Sequence, residues 1–295
     1  MGKTVLVTGA TGFIGHHLCN NLHANGYEVY AFGTKGEHKP QCTKLYKTSN
    51  YMSTLKKIPN IDICFHQAAN NDTTDQDLLS MLETNVRIPS VLFYGLYFEK
   101  KCRNFVYASS CSVYGNQPAP FKEGITLAKP LNPYAKSKNL FEHFASNFGD
   151  SYEVNMVGLR YTNVYGPGEG HKGKRASMIH QIIEKAKNDE TIKLFKDGDQ
   201  KRDWVYVDDV VDANITASNS KKNGIFNVGS GKTVPFNSLI EIIGREMNKE
   251  LNVEYIDCPF IDAYQKHTAV DMRRAKSFGY APKWDVKKAI KEMLK

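Results

Sequence analysis

The run "KTVLVTGATGFIG", residues 3–15, is an apolar strand that breaks into three glycines, Gly9, Gly12 and Gly15, at three-residue spacing. A helical pattern, "FIGHHLCNNLHANG" (13–26), begins inside it and ends at Gly26. A strand that is apolar without alternation is buried on both faces, as strands of parallel sheets are. Glycines between such a strand and a helix let the backbone approach an anion and aim the helix's free N–H groups at it. Glycine turns are common, so the spacing alone says little. The strand before it, the helix after it and its place near the N-terminus make it a dinucleotide-binding turn. The residues implied are Gly9, Thr11, Gly12, Phe13, Ile14 and Gly15.

Outward from this turn the alternation continues. "YEVYAFG" (27–33), "IDICFHQAA" (61–69), "NFVYASS" (104–110) and "YEVNMVGLR" (152–160) read as strands. Helices fall over about 78–100 and in "NPYAKSKNLFEHFASNF" (132–148). This order predicts an α/β protein with a Rossmann-type, doubly wound parallel sheet. After Gly166 the order becomes mixed: a basic loop, a helix at about 176–188, a short strand "TIKLF" (191–195) and the segment "GDQKRDWVYVDDV" (198–210). "GIFNVGSG" (224–231) reads as a return to the main sheet, and 235–295 alternates short helices with one strand. The expected division is a dinucleotide-binding domain over 1–165 with a return segment at about 203–230. Residues 166–202 and 231–295 then form a smaller, interleaved C-terminal α/β substrate lobe.

The 295-residue chain, 41% apolar, is long enough for this architecture. It has no run of about 18 uncharged apolar residues, so no membrane span is expected. Its N-terminus enters a strand directly and lacks the features of a signal peptide. The six cysteines, Cys19, Cys42, Cys64, Cys102, Cys111 and Cys258, form no C-x-x-C pair. Reduced thiols in a cytoplasmic protein are expected, and no metal site. The net charge of +8 is spread along the chain, which describes either a solvated basic surface or a field favouring an anionic small molecule. No nucleic-acid-binding motif is present, so no nucleic-acid partner is expected.

The second strand of such a sheet is expected to close on an acid that holds the adenosine ribose hydroxyls. "YEVYAFGTKGEHK" (27–39) closes instead on Gly33, followed by Thr34 and Lys35. An acid there repels a 2′-phosphate, whereas glycine beside lysine accepts one. NADP is therefore favoured, with NAD possible. "GSGKT" (229–233) resembles the end of a phosphate-binding P-loop, but the glycine required five residues before Gly231 is Phe226. ATP hydrolysis is not indicated.

In "LNPYAKSK" (131–138) Asn132 can cap a helix and Pro133 suits its first turn. Tyr134 and Lys138 then share one face. A free tyrosine has a pKa of about 10, and bringing it to about 7 takes roughly 4 kcal/mol. One ammonium about 4 Å away in a partly buried site supplies energy of that order. Tyrosine with lysine thus makes a general base for an alcohol proton while hydride leaves the same carbon. Alone, Y-x-x-x-K is a common helix-surface pattern. It gains meaning from the glycine turn and from "YASSCSVYG" (107–115), which ends a parallel strand at the edge where ligands sit. There Ser110 can bond the reacting oxygen and Tyr134, and Ser112 the substrate.

Taken together, these residues resemble the extended short-chain dehydrogenase/reductases that modify nucleotide sugars. The likeness runs nearly end to end through the glycine turn, "FHQAA" (65–69), "TNV" (84–86), Ser110–Tyr134–Lys138, "RYTNVYGP" (160–167), "RDWVYVDDV" (202–210) and "IFNVGSG" (225–231). It implies that Ala68, Ala69 and Asn85 bind the cofactor and that Lys138 also holds the nicotinamide ribose. Dehydratases of this superfamily carry a Thr-Asp-Glu run where this chain has "SSCSVYG" (109–115). The GDP-fucose synthase type uses a cysteine at the position of Ser112, and Cys111 is out of register with it.

"NVYGPGEGHKGKRASM" (163–178) is similar to a segment of the ADP-glycero-manno-heptose 6-epimerases, GP-x-EGHKG followed by Met-Ala-Ser. "NNDTTDQD" (70–77) and "AYQKHTAVDMRRAKSFGY" (263–280) agree with it. The chain departs in "GKRAS" (173–177) and in Gly33. The resemblance implies that Lys172 is a second acid/base, with His171 beside it. Asn163, Arg175, Arg202 and Tyr264 are implied to bind substrate, with Lys174 a further candidate for the diphosphate. Arginine suits forked contacts with phosphate oxygens. The implied activity is an NAD(P)-dependent epimerase acting on a nucleotide-diphosphate sugar through a transient ketone. A UDP-hexose 4-epimerase, a GDP-sugar epimerase/reductase and a non-catalytic NADP-sensing protein are the alternatives. A homo-oligomer through the helices around 78–100 and 134–148 is implied, although "VLFYGLYF" (91–98) fits ordinary core packing as well.

Overall fold

The computed structural model describes residues 2–34, 38–124, 129–259 and 264–295. Its strands are β1 (Thr4–Thr8), β2 (Glu28–Gly33), β3 (Lys44–Lys47), β4 (Ile63–His66), β5 (Asn104–Ser110), β6 (Asn155–Tyr161) and β7 (Asn163–Tyr165). They continue with β8 (Ile192–Phe195), β9 (Lys201–Tyr206), β10 (Gly224–Val228), β11 (Thr233–Pro235), β12 (Val253–Ile256) and β13 (His267–Thr268). The helices are α1 (Phe13–Ala24), α2 (Tyr51–Leu55), α3 (Leu78–Leu82), α4 (Ile88–Lys100) and α5 (Pro133–Tyr152). They are followed by α6 (Met178–Lys187), α7 (Val207–Asn219), α8 (Phe236–Met247), α9 (Arg273–Lys276) and α10 (Val286–Met293).

Seven strands form one parallel sheet in the order β10-β6-β5-β4-β1-β2-β3. From β1 the chain winds first toward β3, then crosses to β4 and winds the other way. The crevice where the winding reverses, at the carboxyl ends of β1 and β4, is the ligand position of such folds. Leu18, Cys19 and Leu22 of α1 pack with Val210, Ala213 and Ala217 of α7 on one face. Leu92, Phe93 and Leu96 of α4 and Phe141, Ala145 and Phe148 of α5 cover the other. Burying each large side chain contributes about 1.5–3 kcal/mol. Gly158 in β6 leaves room for a buried ring, since a Cβ there would lie 2.5 Å from Cζ of Tyr107.

The helix expected over 78–100 is present and continuous, with one widened turn inside it. Between α3 and α4, Glu83–Arg87 forms a wide π-helical turn in which the Ile88 N–H donates to the carbonyl of Glu83. Pro89 has no N–H to return to the carbonyl four residues earlier, and the wider turn absorbs that loss. The edge strand β3 and the short α2 have no counterpart in the sequence reading. "KLYK" is only half-buried and carries no alternation.

The remaining strands gather beside this sheet. β9 pairs antiparallel with β11 and parallel with β13 and β7, while β8 and β12 form a parallel pair. Ile179, Ile182 and Ile183 of α6, Trp204 and Tyr206 of β9, Leu239 and Ile243 of α8, and Ile290 of α10 make a separate apolar core under them. β10 lies against β6 in the main sheet, so the chain returns there after β9. Among the described residues no helix is long and apolar enough to cross a membrane, and no cluster of three or more His, Cys, Asp or Glu is placed to hold a metal.

Candidate active site

A cleft of about 450 Å³ opens at the crevice. Gly9 adopts φ +69°, and a Cβ on it would lie 2.7 Å from the Ala68 nitrogen. A Cβ on Gly15 would lie 2.2 Å from the Gly9 carbonyl oxygen, so the turn closes only without side chains. Gly12 caps α1 with no side-chain hydrogen bond, which leaves the first-turn N–H groups without a side-chain partner. These groups and the positive end of the helix dipole fit a diphosphate. Gly9, Thr11, Gly12, Phe13, Ile14, Gly15, Gly33, Thr34, Ala68 and Ala69 line the cleft, as do Ser110, Tyr134 and Lys138.

One expected cofactor contact differs. Asn85 does not line the cleft: it is buried behind the wall, accepting from the Asn70 N–H at 2.8 Å and donating to the Asn70 carbonyl at 2.9 Å and Ser137 Oγ at 2.9 Å. The π-helical turn swings it inward, where it ties the loop after β4 to α5. Gly33 is fixed by packing, because a Cβ there would lie 2.5 Å from Cγ2 of Thr11. Lys35 lies outside the described residues.

The reacting end lies between β5 and α5. The Asn132 side chain accepts from the Ala135 N–H at 2.8 Å and starts α5, and Tyr134 is hydrogen-bonded to Ser110. Lys138 is buried and donates to the Ala108 carbonyl at 2.8 Å. The expectation that this ammonium acidifies Tyr134 is not met. Its nitrogen lies 5.9 Å from the ring centre. Burial pushes the phenol up to about 12, against the hydrogen bond with Ser110. Burial also draws Lys138 down to about 8, opposed by the carboxylate of Glu142 one turn further on. Glu142 is held by two bonds from Arg160, at 2.8 and 2.7 Å, so a buried ion pair stands behind the lysine.

A second cleft, of about 640 Å³, adjoins the first and shares Thr73, Val164, Lys172 and Arg175 with it. Asn163, Lys174, Arg202 and Tyr264 line it as expected. Arg202 is 8% exposed, and its guanidinium sits 5.0 Å from the Tyr264 ring centre and 5.8 Å from that of Phe236. His171 lines the first cleft instead, with Nδ1 3.0 Å from the Gly168 carbonyl. Ser112 lines neither cleft: its N–H bonds Ser110 Oγ at 3.1 Å inside the turn after β5, and its own Oγ is buried without a hydrogen-bond partner. Cys111 is packed away, 3% exposed.

Lys172 reaches the shared wall from a tight turn, Gly170–Arg175. Its Nζ is 2.8 Å from Glu169 Oε2 and 4.9 Å from the ring centre of Phe13, the first residue of α1. Sequence reasoning missed Glu169, along with Lys193, Trp204 and Phe236 of the second cleft. It also missed what "GSGKT" does. The N–H groups of Ser230 and Gly231 do cradle an anion, the buried carboxylate of Asp203, at 2.7 and 3.0 Å. A Cβ on Gly229 would lie 2.6 Å from Asp203 Oδ2.

Residues 5–229 match the NAD dependent epimerase/dehydratase family. The chain is 33% identical over 296 aligned positions to an ADP-L-glycero-D-manno-heptose-6-epimerase of Brachyspira hyodysenteriae, covering 94% of this chain and 92% of that one. Among solved structures it is similar to the Helicobacter pylori ADP-L-glycero-D-manno-heptose-6-epimerase, with 31% identity, a TM-score of 0.87 and 99% and 95% of the two chains covered. It is similar as well to a UDP-N-acetylglucosamine 4-epimerase from Methanobrevibacter ruminantium in complex with UDP-N-acetylmuramic acid, with 28% identity, a TM-score of 0.90 and 99% and 97% covered.

Proposed function

The chain belongs to the NAD dependent epimerase/dehydratase family, and from that premise we propose that it inverts one secondary alcohol of a nucleotide-diphosphate sugar, an ADP-glycero-manno-heptose at its C6. The observation that carries the reading is Lys172, whose side chain stands in the wall common to both clefts. In this proposal residues 1–165 with the return at about 203–230 hold the dinucleotide. Residues 166–202 and 231–295 hold the nucleotide sugar. An oxidised nicotinamide, when bound, accepts hydride and adds positive charge beside the phenol. Held as phenolate by that added charge, Tyr134 takes the hydroxyl proton, Ser110 holds the reacting oxygen, and Lys138 keeps its ammonium behind them. As the ketone regains hydrogen on its other face, Lys172 gives a proton to the oxygen. Oxidation and reduction cancel, so the sugar leaves inverted and unoxidised. Arg175, Lys174 and Arg202 balance the diphosphate charge.

NADP remains the favoured dinucleotide. The packing of Gly33 on Thr11 supports it, since no acidic side chain fits where one would repel a 2′-phosphate. The six free cysteines support a reducing, cytoplasmic setting. A homo-oligomer is supported by exposed apolar side chains on α3, α4 and α5: Leu79 (78% exposed), Phe98 (63%), Tyr94 (40%) and Leu140 (39%).

A UDP-hexose 4-epimerase is the second reading, favoured by the fold likeness to such an enzyme; it makes no demand on Lys172. A panel of ADP-, GDP- and UDP-sugars, followed by NMR, reports which carbon inverts. Tyr134→Phe is expected to lower turnover by about 10²–10⁴-fold, the usual worth of a positioned acid or base. Lys172→Ala should do the same. Near-normal turnover in Tyr134→Phe refutes the catalytic assignment, and little loss in Lys172→Ala favours the 4-epimerase.

A further inference from the structure

Glu169 lies in the middle of the glycine-rich basic segment and is 0% exposed. A carboxylate taken wholly out of water is tolerated only when donors fill its lone pairs. Here they come from both ends of the segment. The Gly166 N–H donates to Oε1 at 3.2 Å, the Ser177 hydroxyl to Oε1 at 2.7 Å, and the Ser177 N–H to Oε2 at 2.8 Å. The fourth donor is the ammonium of Lys172, on Oε2 at 2.8 Å. The Lys172 N–H also bonds the Glu169 carbonyl at 2.9 Å, closing the turn that carries the lysine.

The segment has glycine at 166, 168, 170 and 173, and Gly173 breaks the helical path of the turn with φ +53° and ψ −126°. Such a backbone does not hold a long, rotamer-rich side chain in one place. A lysine gives up much of its side-chain freedom on being fixed, and something must offset that loss. The Phe13 ring offers one soft contact at 4.9 Å. The only ionic partner of Lys172 among the described residues is Glu169. Ser177 also caps α6, its hydroxyl accepting from the His180 N–H at 3.2 Å, so the clasp is anchored to a regular helix.

We propose that Glu169 is the positioning residue of the reaction, a buried carboxylate that clasps the loop Gly166–Ser177 and fixes the Lys172 ammonium in the wall shared by the two clefts. It lines neither cleft, and its effect on turnover passes through Lys172. The proposal rests on the two-base mechanism set out under the proposed function.

A double-mutant cycle tests it, with ADP-D-glycero-D-manno-heptose as the probe and thermal melting and dinucleotide titration as controls for folding. Glu169→Gln keeps the shape and removes the charge. It is expected to lower kcat by about 100-fold, the effect of a reacting group displaced by about 1 Å. Dinucleotide affinity should be unchanged. Combined with Lys172→Ala it should cost nothing beyond Lys172→Ala alone, because residues acting as one unit are not additive. Glu169→Asp, which keeps the charge, should recover part of the loss. If the two losses multiply in the double variant, Glu169 has only a structural role and the proposal fails while the two-base mechanism stands. If Lys172→Ala is itself fully active, both fall together. Should Glu169→Gln not fold, the same cycle run with Glu169→Asp separates the same outcomes.

Discussion

Asp203 shows how much a single buried carboxyl can impose on a protein. It is fully buried and accepts from the Ser230 N–H and hydroxyl and from the Gly231 N–H, yet burial outweighs these bonds and raises it from 3.8 to about 6. The folded chain therefore holds this proton more tightly than the unfolded chain does. Its contribution to stability is complete below about pH 4 and is lost as pH rises through about 6. The span corresponds to roughly 3 kcal/mol at about 1.4 kcal/mol per pH unit. Thermal melts of wild type and Asp203→Asn between pH 4 and 6 should diverge in slope, with the variant flatter. Equal slopes remove Asp203 from the balance. Tyr134, Lys138 and Ser110 were legible because their chemistry is written in spacing on one helix and one strand end. Asp203 and Glu169 were not, because a carboxylate becomes buried only where backbone N–H groups from distant positions converge, and no local pattern reports that.

Elements were read most accurately where period and caps agreed. The long α5 begins at Asn132 and Pro133 as their chemistry requires, and the first strand, turn and helix lie where the glycines put them. The π-helical turn at Glu83–Arg87 escaped notice, since one added residue leaves the apolar rhythm of a helix almost intact. At Gly33 the sequence favours NADP, and the packing adds that any Cβ there would meet the Thr11 side chain. Gly33→Asp should bind neither NADP nor NAD well, because its Cβ meets the Thr11 side chain at 2.5–3.1 Å. Adding Thr11→Gly should restore binding and favour NAD. Fluorescence titration with both dinucleotides checks this, and tight NAD binding by Gly33→Asp alone would contradict it.

Across the whole molecule the apolar surface is uneven. Phe98 is stacked on Tyr94 at 6.4 Å between ring centres, both are exposed on α4, and Tyr94 also meets Phe148 and Tyr152 of α5. Exposed apolar patches of this kind commonly serve as interaction surfaces; on the proposal of a homo-oligomer through these helices, Phe98→Glu is expected to give monomers in analytical ultracentrifugation. An unchanged sedimentation profile would move the interface elsewhere. "VLFYGLYF" could not announce this from sequence, because inward Leu92, Phe93 and Leu96 and outward Tyr94 and Phe98 are interleaved in it.

Five cations line the 640 Å³ cleft, Lys172, Lys174, Arg175, Lys193 and Arg202, and no Asp or Glu lines it among the described residues. Such a mouth draws polyanions from dilute solution well before they touch its walls. Dissolved salt shortens that reach to about 10 Å at 0.1 M. For the proposed nucleotide-diphosphate sugar, the rate of capture is therefore expected to fall as salt is added, whereas events after capture, shielded inside the fold, should respond little to it.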